Sequence, residues 1–211
     1  MDIKIDHVIL GINDLEKGMK TFNDQSGVMP KFGGFLPAFG THNALISLGN
    51  NSYLEIIAPQ PNLDPVDSAF GGLEKYAALT PIGWALQVED LQEVVNQLNN
   101  NKITHSGIKP GARKTSNRGW LRWHTVFLKN AQKLSINPFF IKWETDSAHP
   151  SLTEPAGCSL NSVEVTKGKH EYLNNIIHAM DVKIDKLSVS NQDSLMLNHF
   201  KLLGKKGIVQ F

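Results

Sequence analysis

The sequence predicts an α+β fold of paired curved sheets with helices on the outside. Three observations carry this expectation. Runs with period-two alternation bracket helical stripes in the order strand, helix, strands. That order occurs twice, and a third time in shorter form. Each unit would have one apolar sheet face, which only packing against another layer can bury. A chain of 211 residues with 41% apolar composition is long enough for a sizeable core.

The first strand is the run IKIDHVILGI, where Ile3, Ile5, His7, Ile9 and Gly11 fall on one side and Val8, Leu10 and Ile12 on the other. His7 interrupts an apolar pattern, so it is either a hydrogen-bonded core residue or a functional group. Asn13 is then placed to cap a helix, with Glu16 three residues on, and Leu15, Met19 and Phe22 line one helical face. Pro30, Gly33, Gly34 and Pro37 mark the next strand poorly, before NALISLG and SYLEIIAP read as two strands joined around Gly49, Asn50 and Asn51. This first βαβββ unit spans 1–60, and a linker over 61–77 holds PNLDP and FGG.

The order returns when GWALQVEDLQEVVNQL is laid under HVILGINDLEKGMKTF, which sets Leu91 under Leu15 and Asp90 under Asp14. In this second unit, 78–145, Leu91, Val94, Val95 and Leu98 form the helical stripe, and WLRWHTVFL and NPFFIKW supply later strands. A third βαβββ-like unit over 156–211 begins with SLNSVEV. Its helix would carry Leu173, Ile176, Ile177 and Met180 on one face, with KLSVS, SLMLNHFKLL and KGIVQF as strands.

Composition narrows the function. Lys plus Arg number 21 and Asp plus Glu 20, a net charge of +1, so no global field draws the chain to nucleic acid or an anionic membrane. No apolar run reaches the roughly 18 residues of a membrane span, and no basic segment followed by an apolar one marks a secretory signal. The single cysteine, Cys158, excludes an internal disulfide and any cysteine-rich metal site. The expected setting is the cytoplasm and the expected partner a small molecule, with a homodimer left open.

DHVILGINDLEKG, the pair Gly33–Gly34, GTHNALISLG, YLEIIAP, PFFIKW and the His149–Pro150 pair together resemble the glyoxalase-like domain of the vicinal oxygen chelate superfamily. The resemblance covers most of the chain to about residue 150. It implies tandem βαβββ modules curled around a cavity, with metal ligands from the first and fourth strands. On that reading His7 and Glu55 share the cavity, Glu55 also being the catalytic candidate, and one divalent Zn, Fe, Mn, Ni or Co ion would polarise adjacent substrate oxygens. The ion is not obligatory: Gly83 and Phe140, placed under His7 and Glu55, cannot bind metal. His42 from GTHN is the added ligand candidate and His124 a further one.

Further candidates come from the residues themselves. Glu55 lies in an apolar run, where a carboxylate must be paired, metal-bound, protonated or exposed. Lys109, Arg113, Lys114, Arg118 and Arg122 cluster without an acid, beside Trp120 and Trp123. A charge run of this kind is by default a solvated loop; the functional alternative is a loop over the cavity mouth in which Arg113 or Arg118 grips a substrate carboxylate or phosphate. Trp120 and Phe140 complete the substrate-binding set, with Phe139 and Trp143 as further wall candidates. Two functions fit: a metal-dependent lyase, isomerase or dioxygenase acting on a small oxygenated metabolite, or a metal-free protein that sequesters an amphipathic metabolite or antibiotic.

Overall fold

The structure is a computed structural model that describes residues 3–63, 70–115, 119–129, 138–166, 184–190 and 199–211. The chain forms β1 (Ile3–Gly11), α1 (Leu15–Ser26), β2 (Lys31–Leu36), β3 (Thr41–Gly49) and β4 (Ser52–Pro59). The same succession follows as β5 (Thr80–Val88), α2 (Leu91–Asn100), β6 (Lys109–Thr115), β7 (Gly119–Val126) and β8 (Pro138–Trp143). The eight strands make one curled sheet ordered β2-β3-β4-β1-β5-β8-β7-β6. β1 runs parallel to β4 and β5 parallel to β8, and the halves meet at the antiparallel β1–β5 pair.

Both helices begin at an aspartate. Asp14 accepts from the Lys17 backbone N–H, and Asp90 accepts from those of Gln92 and Glu93. The cap of α1 is therefore Asp14 and not the expected Asn13, because the helix starts one residue later and a cap must sit immediately before its first turn. Leu15 and Phe22 on α1, and Leu91, Val94 and Leu98 on α2, bury against the outer face of the sheet.

Two other expectations change. The basic segment 109–122 is not a loop: its described residues form the β6–β7 hairpin, paired from Lys109 with Thr125 to Thr115 with Gly119. Its charges are those of an edge strand, which hide the strand pattern. In β1 the period-two phase breaks, because a bulge at Asp6 shifts the register against β5 between Ile5 and His7. Ile3 and Ile5 thereby join Val8, Leu10 and Ile12 in the outer core, while Ile9 turns to the inner face. A bulge inserts one unpaired residue and reverses which side follows.

The C-terminal segment forms β9 (Ser159–Thr166), β10 (Leu187–Ser190), β11 (His199–Gly204) and β12 (Gly207–Gln210) in a second sheet ordered β10-β9-β11-β12. Here the first strand lies inside the sheet, between a parallel and an antiparallel neighbour. In the first half β1 instead stands at the end of its four. The helix expected over Leu173–Met180 lies outside the described residues. Val163, Phe200 and Leu202 of this sheet share the outer core with Phe22, Ile46, Trp84 and Phe140. No helix among the described residues is long and apolar enough to cross a membrane.

Candidate functional site

The inner face of the curled sheet lines a cavity of ≈ 60 Å³. His7 and Glu55 reach it from the central strands, Asn43 from β3, Arg113 and Thr125 from the far side, and Phe39, Phe70, Phe127 and Phe139 supply apolar wall. The register sets Glu55 beside Ile9 and Tyr53 beside His7 on the parallel β1–β4 pair. The His7 Nε2 and Glu55 Oε2 atoms stand 3.7 Å apart, too far for a direct hydrogen bond. Glu55 is fixed from behind by Asn43, whose Nδ2 donates to Oε1 at 2.6 Å.

Asp6 organises the other side of His7. Its Oδ1 accepts from His7 Nδ1 at 2.6 Å, and its Oδ2 accepts from Trp143 Nε1 at 2.9 Å and His149 Nε2 at 3.0 Å. His149 Nδ1 in turn accepts from the Ser151 backbone N–H at 3.2 Å, which leaves Nε2 as the protonated nitrogen that Asp6 needs. Burial by itself would raise the Asp6 carboxyl, but hydrogen bonds from His149 and His7, reinforced by their charge, hold it at about 2. With Nδ1 committed to Asp6, His7 presents Nε2 to the cavity. Tyr53 stacks on the imidazole at 4.4 Å between ring centres. Burial, and after it the Asp6 and Glu55 charges, push the Tyr53 phenol well above its usual range, so it keeps its proton.

The other sequence candidates separate by face. Arg113 lines the cavity at 5% exposure, and its Nη1 donates to the Gly33 carbonyl across the gap between β6 and β2. A Cβ at Gly33 would collide with Asn43 Oδ1 and press on Arg113 Nη1, which is why this crossing needs a glycine. His42 is turned away: it stacks on Phe35 at 5.9 Å while Thr41 and Asn43, its neighbours, face the cavity. Burial lowers the His42 pKa. His124 is likewise on the opposite face from Trp123 and Thr125, 3.9 Å from Glu144. Trp120 is 51% exposed and outside the cavity lining. Phe140 is fully buried in the outer core, and its neighbour Phe139 forms the wall instead. Arg118 lies outside the described residues.

Asp6, Asn43 and Tyr53 escaped the sequence reading. Their signals were present: Tyr53 and Glu55 alternate on one strand face, and Asp6 adjoins His7 in an apolar run where a lone carboxylate must find partners.

Among the described residues the donors at this cavity do not complete a divalent metal site. His7 Nε2 and Glu55 Oε2 are two donors, and no cluster of three or more His, Cys, Asp or Glu side chains able to hold a metal occurs among the described residues. The positions that would supply more, by the matching registers of Ile9 with Glu55 and Ala85 with Phe139, carry Gly83 and Phe139. A buried guanidinium on the same cavity adds cationic charge that opposes a metal ion.

The sequence model of a family described as a glyoxalase-like domain matches residues 5–179. Among solved structures, a hypothetical protein from Staphylococcus aureus superimposes with a TM-score of 0.67 at 21% identity, over 99% of this chain and 85% of that one. A variant of Streptomyces coelicolor methylmalonyl-CoA epimerase in complex with 2-nitronate-propionyl-CoA does so with a TM-score of 0.50 at 17% identity, over 68% of this chain and 96% of that one. These likenesses are ones of fold. No curated protein matches.

Proposed function

Because this chain belongs to the glyoxalase-like domain family, we propose that its cavity binds a small oxygenated metabolite and moves a proton at the carbon beside the metabolite's carbonyl. The observation that carries this reading is the Asp6–His7 pair: a buried carboxylate fixes Nδ1 and leaves Nε2 facing the cavity. That is the arrangement a general base requires.

In the reaction His7 Nε2 takes the proton, the C–H bond breaks, and its electron pair moves onto the carbonyl oxygen to give an enolate. Asp6 stabilises the imidazolium that forms, and Glu55, 3.7 Å away, adds a second negative charge beside it. Tyr53, which lines the same cavity and keeps its phenolic O–H, serves as a donor for the developing oxyanion. Where the deprotonated carbon carries a hydroxyl, that hydroxyl gives up its proton to become the new carbonyl as the former carbonyl carbon takes a proton, which completes an isomerisation; loss of a leaving group from the carbon next to the deprotonated one, as the enolate pair reforms the carbonyl, completes an elimination. The lone, buried Cys158 suits a reducing cytoplasm.

The apolar second half of the wall favours a second reading, a metal-free binder that sequesters its ligand. One experiment separates the two. Small oxo compounds are incubated with the protein in D₂O and deuterium at the adjacent carbon is followed by NMR. The catalytic reading expects exchange that His7→Asn lowers by about 10²–10⁴ and that a chelator leaves unchanged. Saturable binding without exchange establishes the binder, and loss of exchange on chelation establishes a metal.

A further inference from the structure

We propose that the molecule taken by this cavity is a 2-oxo monocarboxylate with an apolar tail, its carboxylate seated on Arg113. The oxo group rests on the proton-transfer reading above; the carboxylate and the tail rest on independent features of the site.

Arg113 is 5% exposed and lines the cavity. Among the described residues no carboxylate oxygen lies within 4.0 Å of it, and its partner is the neutral Gly33 carbonyl. A guanidinium stays charged and has five N–H donors, so one backbone acceptor leaves both its charge and most of its donors unanswered. A buried charge in that condition is strongly unfavourable. A ligand carboxylate answers both needs: it balances the charge, and its planar pair of oxygens fits the guanidinium fork.

Charge and lining narrow the class. One guanidinium balances one negative charge, and Asp6 and Glu55 already contribute carboxylates nearby, which disfavours a phosphate dianion. The same cavity is walled by Phe39, Phe70, Phe127 and Phe139, whose ring centres lie 4.8 to 6.4 Å from one another. That surface suits an aromatic or branched aliphatic tail.

Four probes test the assignment by calorimetry: phenylpyruvate, phenylacetone with a methyl group in place of the carboxylate, pyruvate without the ring, and inorganic phosphate. Phenylpyruvate is expected to bind at least tenfold more tightly than each of the others. Arg113→Gln should bring phenylpyruvate and phenylacetone within threefold of each other, with Arg113→Lys intermediate. If Arg113→Gln does not fold, the wild-type ratio of acid to ketone decides. Equal affinity for acid and ketone, tighter binding of phosphate, or no binding of phenylpyruvate overturns the proposal. Deuterium exchange is read separately. Acid preference without exchange removes the proton-transfer reading and leaves the carboxylate site standing; exchange of both compounds at equal affinity does the reverse.

Discussion

The two halves of the eight-stranded sheet share strand order, helix placement and an aspartate cap, yet they turn different chemistry toward the cavity. The first half contributes His7, Asn43, Tyr53 and Glu55, all tied by hydrogen bonds or ring stacking. From the second come Phe127, Phe139, Ile141 and Trp143, with Arg113 as its cation. Equivalent registers place Glu55 in one half and Phe139 in the other. A repeated backbone thus fixes where side chains point and leaves open what they do. On the reading proposed above, the first half activates the substrate, while the second shapes the space and supplies the cation that seats it.

The largest expected effect tests the division between wall and core. Phe140→Ala should lower unfolding free energy by about 3–5 kcal/mol in denaturant titrations, since its ring is fully buried in the outer core. Phe139→Ala should fall at or below the low end of that range, because its void opens into an existing cavity, yet it alone should change ligand affinity. Reversal of the two would break the assignment of faces. A smaller effect tests the polar half. Asp6 is lower in the folded protein, at about 2, than its ordinary 3.8, so it binds protons more weakly folded than unfolded. Its contribution of about 2 kcal/mol is full above the unfolded value and is lost as pH falls through about 2. Stability measured from pH 5 downward should therefore decline less steeply in Asp6→Asn. The smallest effect concerns His42, stacked on Phe35 outside the cavity. His42→Phe should shift stability by no more than about 0.5 kcal/mol and leave binding of phenylpyruvate unchanged; a weakened affinity would place it in the site after all.

Much of the scaffold was legible because hydrophobic periodicity is local. The helical stripes at Leu15–Phe22 and Leu91–Leu98, and the strands in NALISLG, SYLEIIAP and PFFIKW, are visible as spacing. Features that depend on non-local pairing were not. The bulge at Asp6 changes the phase of β1 in response to β5, so the alternation of Ile3, Ile5, His7 and Ile9 suggested one face where there are two. The choice between Phe139 and Phe140 likewise turns on a one-residue register. The position of Asp6 in an apolar run shows that it needs partners, but which ones they are, Trp143 and His149, distant in sequence, only the fold reveals. The strand pattern of β6 was concealed by Lys109, Arg113 and Lys114, residues suited to an edge.

That edge has a bearing on solubility. An open eight-stranded sheet presents two rows of unpaired backbone groups, each a template on which a strand from another molecule can grow into an aggregate. Here β2 and β6 turn toward each other, and the Arg113 side chain spans the gap to Gly33. Each edge shields the other from intermolecular pairing, while the exposed Lys31 and Lys109 discourage a foreign strand from docking. The substrate cation we infer would then also serve as a guard against self-association, and substitutions at Arg113 should be watched for turbidity during refolding as closely as for lost affinity.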